Sequence, residues 1–102
     1  MAIKINKQQL RELIVSGITS HDLNARYDYS SITDMSYLLA GCKEVTSVPL
    51  FDTSNVKVLD RAFMDCENLV HIPDFDLSNG ISIFQVFYGC KSLKCDRPTF
   101  LL

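Results

Sequence analysis

The sequence is short of most of what an enzyme site, a membrane span or a nucleic-acid surface is read from. Lys and Arg number 10 against 12 Asp and Glu, a net charge of −2. There is therefore no excess of one sign to draw the whole chain onto nucleic acid or an anionic membrane. No stretch approaches the roughly 18–20 apolar residues that a membrane helix needs. Met1 to Ile5 carries one charge and no apolar core, so no secretory signal is read there and a cytoplasmic chain is expected. There is no C-x-x-C pair and no glycine-rich phosphate loop. His21 and His71 have no serine or cysteine arranged with them by motif, so no catalytic residue, metal site or cofactor is expected.

What remains is an ordinary globular composition, 47% apolar and 22% charged in 102 residues. That length allows one domain and one core, with little stability to spare for an elaborate active site.

What the sequence does have is an internal repeat with a period of 24 residues. Ser31 to Cys42 aligns with Asn55 to Cys66 and with Asn79 to Cys90. Met35, Leu59 and Ile83 match, as do Leu38, Ala62 and Val86, then Leu39, Phe63 and Phe87. Val45, Leu69 and Leu93 follow, then Val48 and Ile72, Pro49 and Pro73, and Phe51-Asp52 and Phe75-Asp76. Carried backwards, the register sets Ile14-Val15 under Leu38-Leu39 and Tyr27-Asp28 under Phe51-Asp52. The organisation read is one domain over 1–102: an N-terminal capping unit (1–28), repeats at 29–52, 53–76 and 77–98, and a C-terminal cap (99–102).

In the capping unit, Asn6 to Gln9 is an N-x-x-Q capping box, Leu10, Leu13 and Ile14 share a helical face, and Gly17 suits a helix end. A helix over about residues 7–16 is predicted. Within each repeat, Leu59, Ala62, Phe63 and Cys66 have the i, i+3, i+4, i+7 spacing of a short helix, repeated at Met35–Cys42 and Ile83–Cys90. Leu69 to Ile72 reads as a short strand that Pro73 ends. Asp52-Thr53-Ser54-Asn55 and Asp76-Leu77-Ser78-Asn79 read as turns. The fold class expected is α/β: a short leucine-rich-repeat solenoid with short parallel strands, short helices on the opposite side and an N-terminal capping helix.

Phe51-Asp52-Thr53-Ser54-Asn55-Val56 followed by Phe63-Met64-Asp65-Cys66-Glu67-Asn68-Leu69 resembles the BspA-type leucine-rich repeats, in their F-D-T-S-N-V…F-x-x-C-x-x-L form. Phe75 to Asn79 with Phe87 to Leu93 gives a second match, and Ile32 to Ser36 with Gly41-Cys42 a third, so the resemblance covers about residues 29–94. It implies a non-enzymatic module that binds a protein partner, since large surface-anchored members of the family bind host proteins. Small free-standing members include bacteriophage ones. The alternative it implies is a bacteriophage-encoded inhibitor of a host enzyme or defence complex, anti-CRISPR-like or for host takeover, acting in the host cytoplasm.

The individual residues then take these roles. Cys42, Cys66 and Cys90 stack one per coil as apolar filler, with a lesser alternative of thiol-redox chemistry at Cys90 and Cys95. Asp28, Asp52 and Asp76 form a ladder of carboxylates that accept turn N–H groups, and their spacing does not gather the several oxygens a calcium loop needs. Ser31, Asn55 and Asn79 suggest a second polar ladder between coils. With Val48 and Ile72 inward, the outward row is Ser47, Pro49, His71, Pro73, Cys95 and Arg97, the expected partner-binding residues. Lys57, Asp60 and Arg61 read as a solvated surface. Phe100 to Leu102 is expected to cover the last turn, or to pair copies end to end.

Overall fold

The computed structural model describes residues 2–93. The C-terminal cap, together with Cys95 and Arg97, lies outside the described residues.

The chain opens with strand β1 (Ile3–Lys4), helix α1 (Lys7–Val15), helix α2 (Ser20–Arg26) and strand β2 (Tyr27–Asp28), and β1 pairs parallel with β2. Both parts of the capping box of α1 are made: Asn6 Oδ1 accepts from Gln9 N at 2.8 Å and Gln9 Oε1 from Asn6 N at 2.9 Å. Leu10 and Ile14 are buried on its inner face. Its end is a Schellman turn: Gly17 N–H donates to Ile14 O and Ile18 N–H to Leu13 O, with Gly17 at φ +87°. Helix α2 is additional to the sequence reading. Thr19 caps it by accepting from Asp22 N at 3.1 Å, and its anchor is the buried Leu23. One apolar anchor in a seven-residue helix leaves no periodicity to detect.

From Tyr29 onward the chain winds in successive coils that lie on one another in the repeat register. Single parallel bridges join Asp34 to Val58, Val58 to Ser82, and Ser47 to His71. Where the spacing predicts short helices, the structure has runs of turns instead. Two alternating sets of bonds explain this. Leu38, Ala40 and Cys42 N–H bond three residues back, to Met35, Tyr37 and Leu39 O. The N–H groups between them point out of the coil: those of Met35, Tyr37, Leu39 and Gly41 donate to Val58, Asp60, Ala62 and Met64 O at 2.7–3.1 Å. The next interval repeats the pattern, with Leu59, Arg61, Phe63 and Asp65 N–H donating to Ser82, Phe84, Val86 and Tyr88 O. A helix would spend these donors inside its own coil and leave the stack without a ladder.

The backbone follows suit. Tyr37, Arg61 and Gln85 occupy one register position and all have positive φ, between 51° and 59°. Gly17, Gly41, Asp65 and Gly89 occupy another, again all with positive φ. A left-handed residue every few positions turns the chain a corner that no α-helix makes. The predicted strand at Leu69–Ile72 is likewise reduced to the bridge at His71, with Val70 N–H donating to Thr46 O at 2.9 Å.

The core fills the inside of the coils column by column. Met35 and Leu59 are buried in one column, Leu39 and Phe63 in another, and Cys42 and Cys66 in a third. Phe63 stacks almost parallel on Phe87 (5.6 Å between centroids) and on Phe75 (6.3 Å), while Phe75 leans on Phe51 at 4.7 Å.

Along these turn runs the stack has a donor side and an acceptor side. The first coil has no coil before it to donate to its carbonyls. Helix α1 takes that place: Lys7 Nζ donates to Ser36 O at 3.0 Å, and Arg11 Nη1 and Nη2 donate to Leu38 O at 3.1 Å and Ala40 O at 3.5 Å. These carbonyls stand in the same register as Asp60, Ala62 and Met64 O, which backbone N–H groups serve one coil later.

Candidate partner-binding surface

Four of the six residues expected to form the outward row lie among those described. Ser47 and His71 are exposed and bridged to one another, so they stand side by side on adjacent coils. Pro49 and Pro73 are half-buried, while Val48 between Ser47 and Pro49 is in the core and Ile72 packs against it. The alternation fixes the direction of each side chain: one apolar residue in, its neighbours out. Ser47 and Pro49 also edge a groove of about 260 Å³ whose far wall is the loop from α1 to α2, with Gly17, Ile18 and Thr19. The row thus continues from the coils onto the capping unit.

A second groove, of about 410 Å³, lies where Ser20 and Asn24 of α2 face Leu50, Asp52, Asp74 and Asp76. Asn24 closes its floor by donating to Leu50 O at 3.0 Å and accepting from the Tyr29 hydroxyl. The same hydroxyl accepts from Asp52 N at 2.7 Å, which ties α2 to the end of the first coil. Burial pushes the Tyr29 phenol above its ordinary pKa, so it stays a neutral donor.

The aspartates punctuate the turns. Asp28, Asp52 and Asp76 Oδ1 accept from Ser30, Ser54 and Ser78 N at 2.9–3.0 Å, each two residues on. Asp34 does the same with Ser36 N at 2.8 Å. The Ser30 hydroxyl and then its N–H hold the Asp28 carboxyl below the usual range, and the Ser78 N–H followed by its side chain does so for Asp76. With these amides taken, the second polar ladder shrinks to one rung, Asn79 Nδ2 donating to Ser54 O at 3.4 Å. No side-chain hydrogen bond is made by Ser31 or Asn55 among the described residues.

The cysteine column sits where the register puts it. Cys42 and Cys66 are buried and Cys90 is half-buried, and all three are free thiols. Cys66 Sγ donates to Leu39 O at 3.1 Å and Cys90 Sγ to Phe63 O at 3.0 Å, so each thiol clips its coil to the one before. Burial raises all three pKa values, that of Cys66 to about 12. This is the opposite of the electropositive setting that makes a reactive thiolate. Cys95, the second thiol of the redox alternative, is outside the described residues. Among the described residues no three His, Cys, Asp or Glu side chains converge as a metal ion requires. None of the described helices is long and apolar enough to cross a membrane.

One part of the surface differs from its sequence reading. Asp60 and Arg61 are not loosely solvated. Asp60 Oδ1 accepts from Ser82 Oγ at 2.6 Å and Phe84 N at 2.9 Å, and Arg61 is clamped among rings from neighbouring coils. Arg61 belongs to a column, Tyr37–Arg61–Gln85, whose members are 24 residues apart and meet only once the coils stack. The register alignment holds that signal, but only when polar positions are read down it as closely as apolar ones.

A family model described as "Mycoplasma protein of unknown function, DUF285" matches residues 8–100. No curated protein and no solved structure matches the chain.

Proposed function

The chain belongs to the DUF285 family, and from that premise we propose that it is a non-enzymatic protein–protein interaction module that binds a partner through its repeat surface. The carrying observation is the Ser47–His71 bridge. It sets outward side chains of successive coils in one row while Val48 and Ile72 hold the backbone to the core. Such a row offers adjacent side chains at fixed spacing, the arrangement by which stacked repeats hold extended partners. Among the described residues it gathers no base, nucleophile and oxyanion donor around one point, as chemistry would need.

The same proposal reads the coils as a short leucine-rich-repeat solenoid of the BspA type. Its support is the 24-residue period and the Phe51 to Val56 and Phe63 to Leu69 motif. The reading extends the contact surface into the groove beside Gly17 and Thr19, so that capping unit and coils present one face.

The test is affinity capture from the source cell with the full chain and with a Ser47→Arg, His71→Glu double variant. Both positions are exposed, so the variant should fold, which circular dichroism checks. A partner that binds the native chain at micromolar concentration and is lost with the variant supports the proposal. A partner held equally by both removes the row from it, and the absence of any specific partner removes the function.

A further inference from the structure

Arg61 is held flat and left unspent. Its guanidinium lies 4.8 Å from the Phe84 ring centroid and 5.8 Å from that of Tyr37, within cation–π range of both. Its Nε donates to Gln85 Oε1 at 2.9 Å and its Nη1 to the Tyr37 hydroxyl at 3.3 Å. These contacts fix the plane of the group from both neighbouring coils. They leave Nη2 and one N–H of Nη1 without an acceptor among the described residues. No carboxylate lies within ion-pair distance of Arg61 among those residues, where both ion pairs are made by Lys43 and Lys91 with Glu67. The nearby Asp60 is turned to Ser82 and the Phe84 amide.

The rings beside Arg61 are open to solvent: Phe84 is 57% exposed and Tyr37 49%, and Tyr88 on the same coil as Phe84 is 60% exposed. Exposed rings gathered into one patch mark an interaction surface, and a ring-flanked arginine is the composition of an interface hot spot.

We propose that Tyr37, Arg61 and Phe84 form a docking site for a protein segment that presents an Asp or Glu side chain next to an apolar one. The carboxylate takes the free Nη edge of Arg61, which a planar, pre-oriented fork suits better than a flexible ammonium would. The apolar neighbour covers the exposed face of Phe84. Charge complementarity chooses this occupant: the site offers a cation with no ion-pair partner among the described residues, flanked by the Phe84 and Tyr37 rings. The inference rests on the reading of the chain as an interaction module, but not on the Ser47–His71 row.

A random linear-peptide display library selected against the full chain tests it. The expected result is enrichment of peptides with an acidic residue beside an apolar one. A selected peptide should lose on the order of tenfold or more in affinity with Arg61→Lys, which keeps the charge and loses the fork. Phe84→Ala should also weaken it. Ser47→Arg with His71→Glu should leave it unchanged. Thermal melts of each variant establish that it is folded, and Tyr37→Phe, which removes only the hydroxyl, serves as the mildest probe. Enrichment without acidic bias, no enrichment, or equal binding by Arg61→Lys would each overturn the site. Loss of peptide binding with the Ser47, His71 pair alone would move binding to that row, and so sink this site while sparing the broader function.

Discussion

In α1 the backbone N–H groups are spent within the helix; in the turn runs of the coils alternate ones leave for the coil that follows. Both regions keep the same 24-residue register, with Ile14 under Leu38 and Gly17 under Gly41. The difference is one of neighbours. A coil is incomplete without another on each side, because its alternate donors and acceptors lie on its two faces. A helix is complete in itself except at its ends, which the Asn6 box and the Gly17 turn close. The first unit can therefore be a helix that needs nothing from the N-terminal side. Its side chains, Lys7 and Arg11, then serve the carbonyls that no backbone reaches. A cap, on this view, is a repeat whose polar needs have been turned inward.

The sharpest way to break the comparison is through the coil core. Phe63→Ala removes a ring that is 1% exposed and packs on two others, at a cost of about 3–5 kcal/mol. That is a large share of the roughly 5–15 kcal/mol that holds a domain of this kind. Denaturant unfolding measures the loss, and hydrogen exchange should show α1 losing protection with the coils. Protection of α1 that outlasts the coils would make the two regions separate folding units.

Next in size is Arg11→Met, which keeps the stem and withdraws the donors from Leu38 and Ala40 O. Bonds to charged groups contribute about 1.5–3 kcal/mol, and partial exposure puts this one near 1.5. A urea midpoint unchanged by the substitution would mean that water serves the first coil as well as the helix does.

A smaller effect, of opposite sign, is expected at Asp65. It is the one non-glycine at the register of Gly17, Gly41 and Gly89, with φ +59°. Asp65→Gly should gain about 0.5–1 kcal/mol in a thermal melt, by relief of left-handed strain. Gly89→Ala in the next coil should lose stability, because its φ of +77° disfavours any side chain and a methyl there also crowds Asp65.

The smallest effect is that of acid. The Ser30, Ser36 and Ser78 bonds hold Asp28, Asp34 and Asp76 below the usual carboxylate pKa. Their stabilisation is complete above the unfolded pKa near 4 and is lost as pH falls through the lower folded values. The turns of the coils should loosen there before α1, whose first turn has no acidic residue. Amide exchange resolved by residue at acid pH would separate the two.

These contrasts also mark what the sequence could carry. The period, the inward columns and the capping helix were legible because burial repeats at fixed spacing, and Asn6 and Gly17 have local chemistry of their own. The turn-built coil was not. Leu59, Ala62, Phe63 and Cys66 face inward in a helix and in a chain of turns alike, and the choice depends on where the intervening N–H groups bond, across a gap of 24 residues. The glycines at positions 17, 41 and 89 were the available clue to left-handed corners. Likewise the Ser47–His71 row follows from alternation along one strand, whereas the setting of Arg61 comes from Tyr37 one coil back and Gln85 one coil on.

The seal that Lys7 and Arg11 place on the first coil also bears on self-association. A row of open carbonyls at the edge of a stack is an invitation to any matching row of N–H donors, from another chain or another copy. Here the acceptors of a second copy are already taken by its own lysine and arginine. Those three carbonyls, of Ser36, Leu38 and Ala40, are therefore not left open for pairing, and the same two cations that complete the first coil also cover its edge.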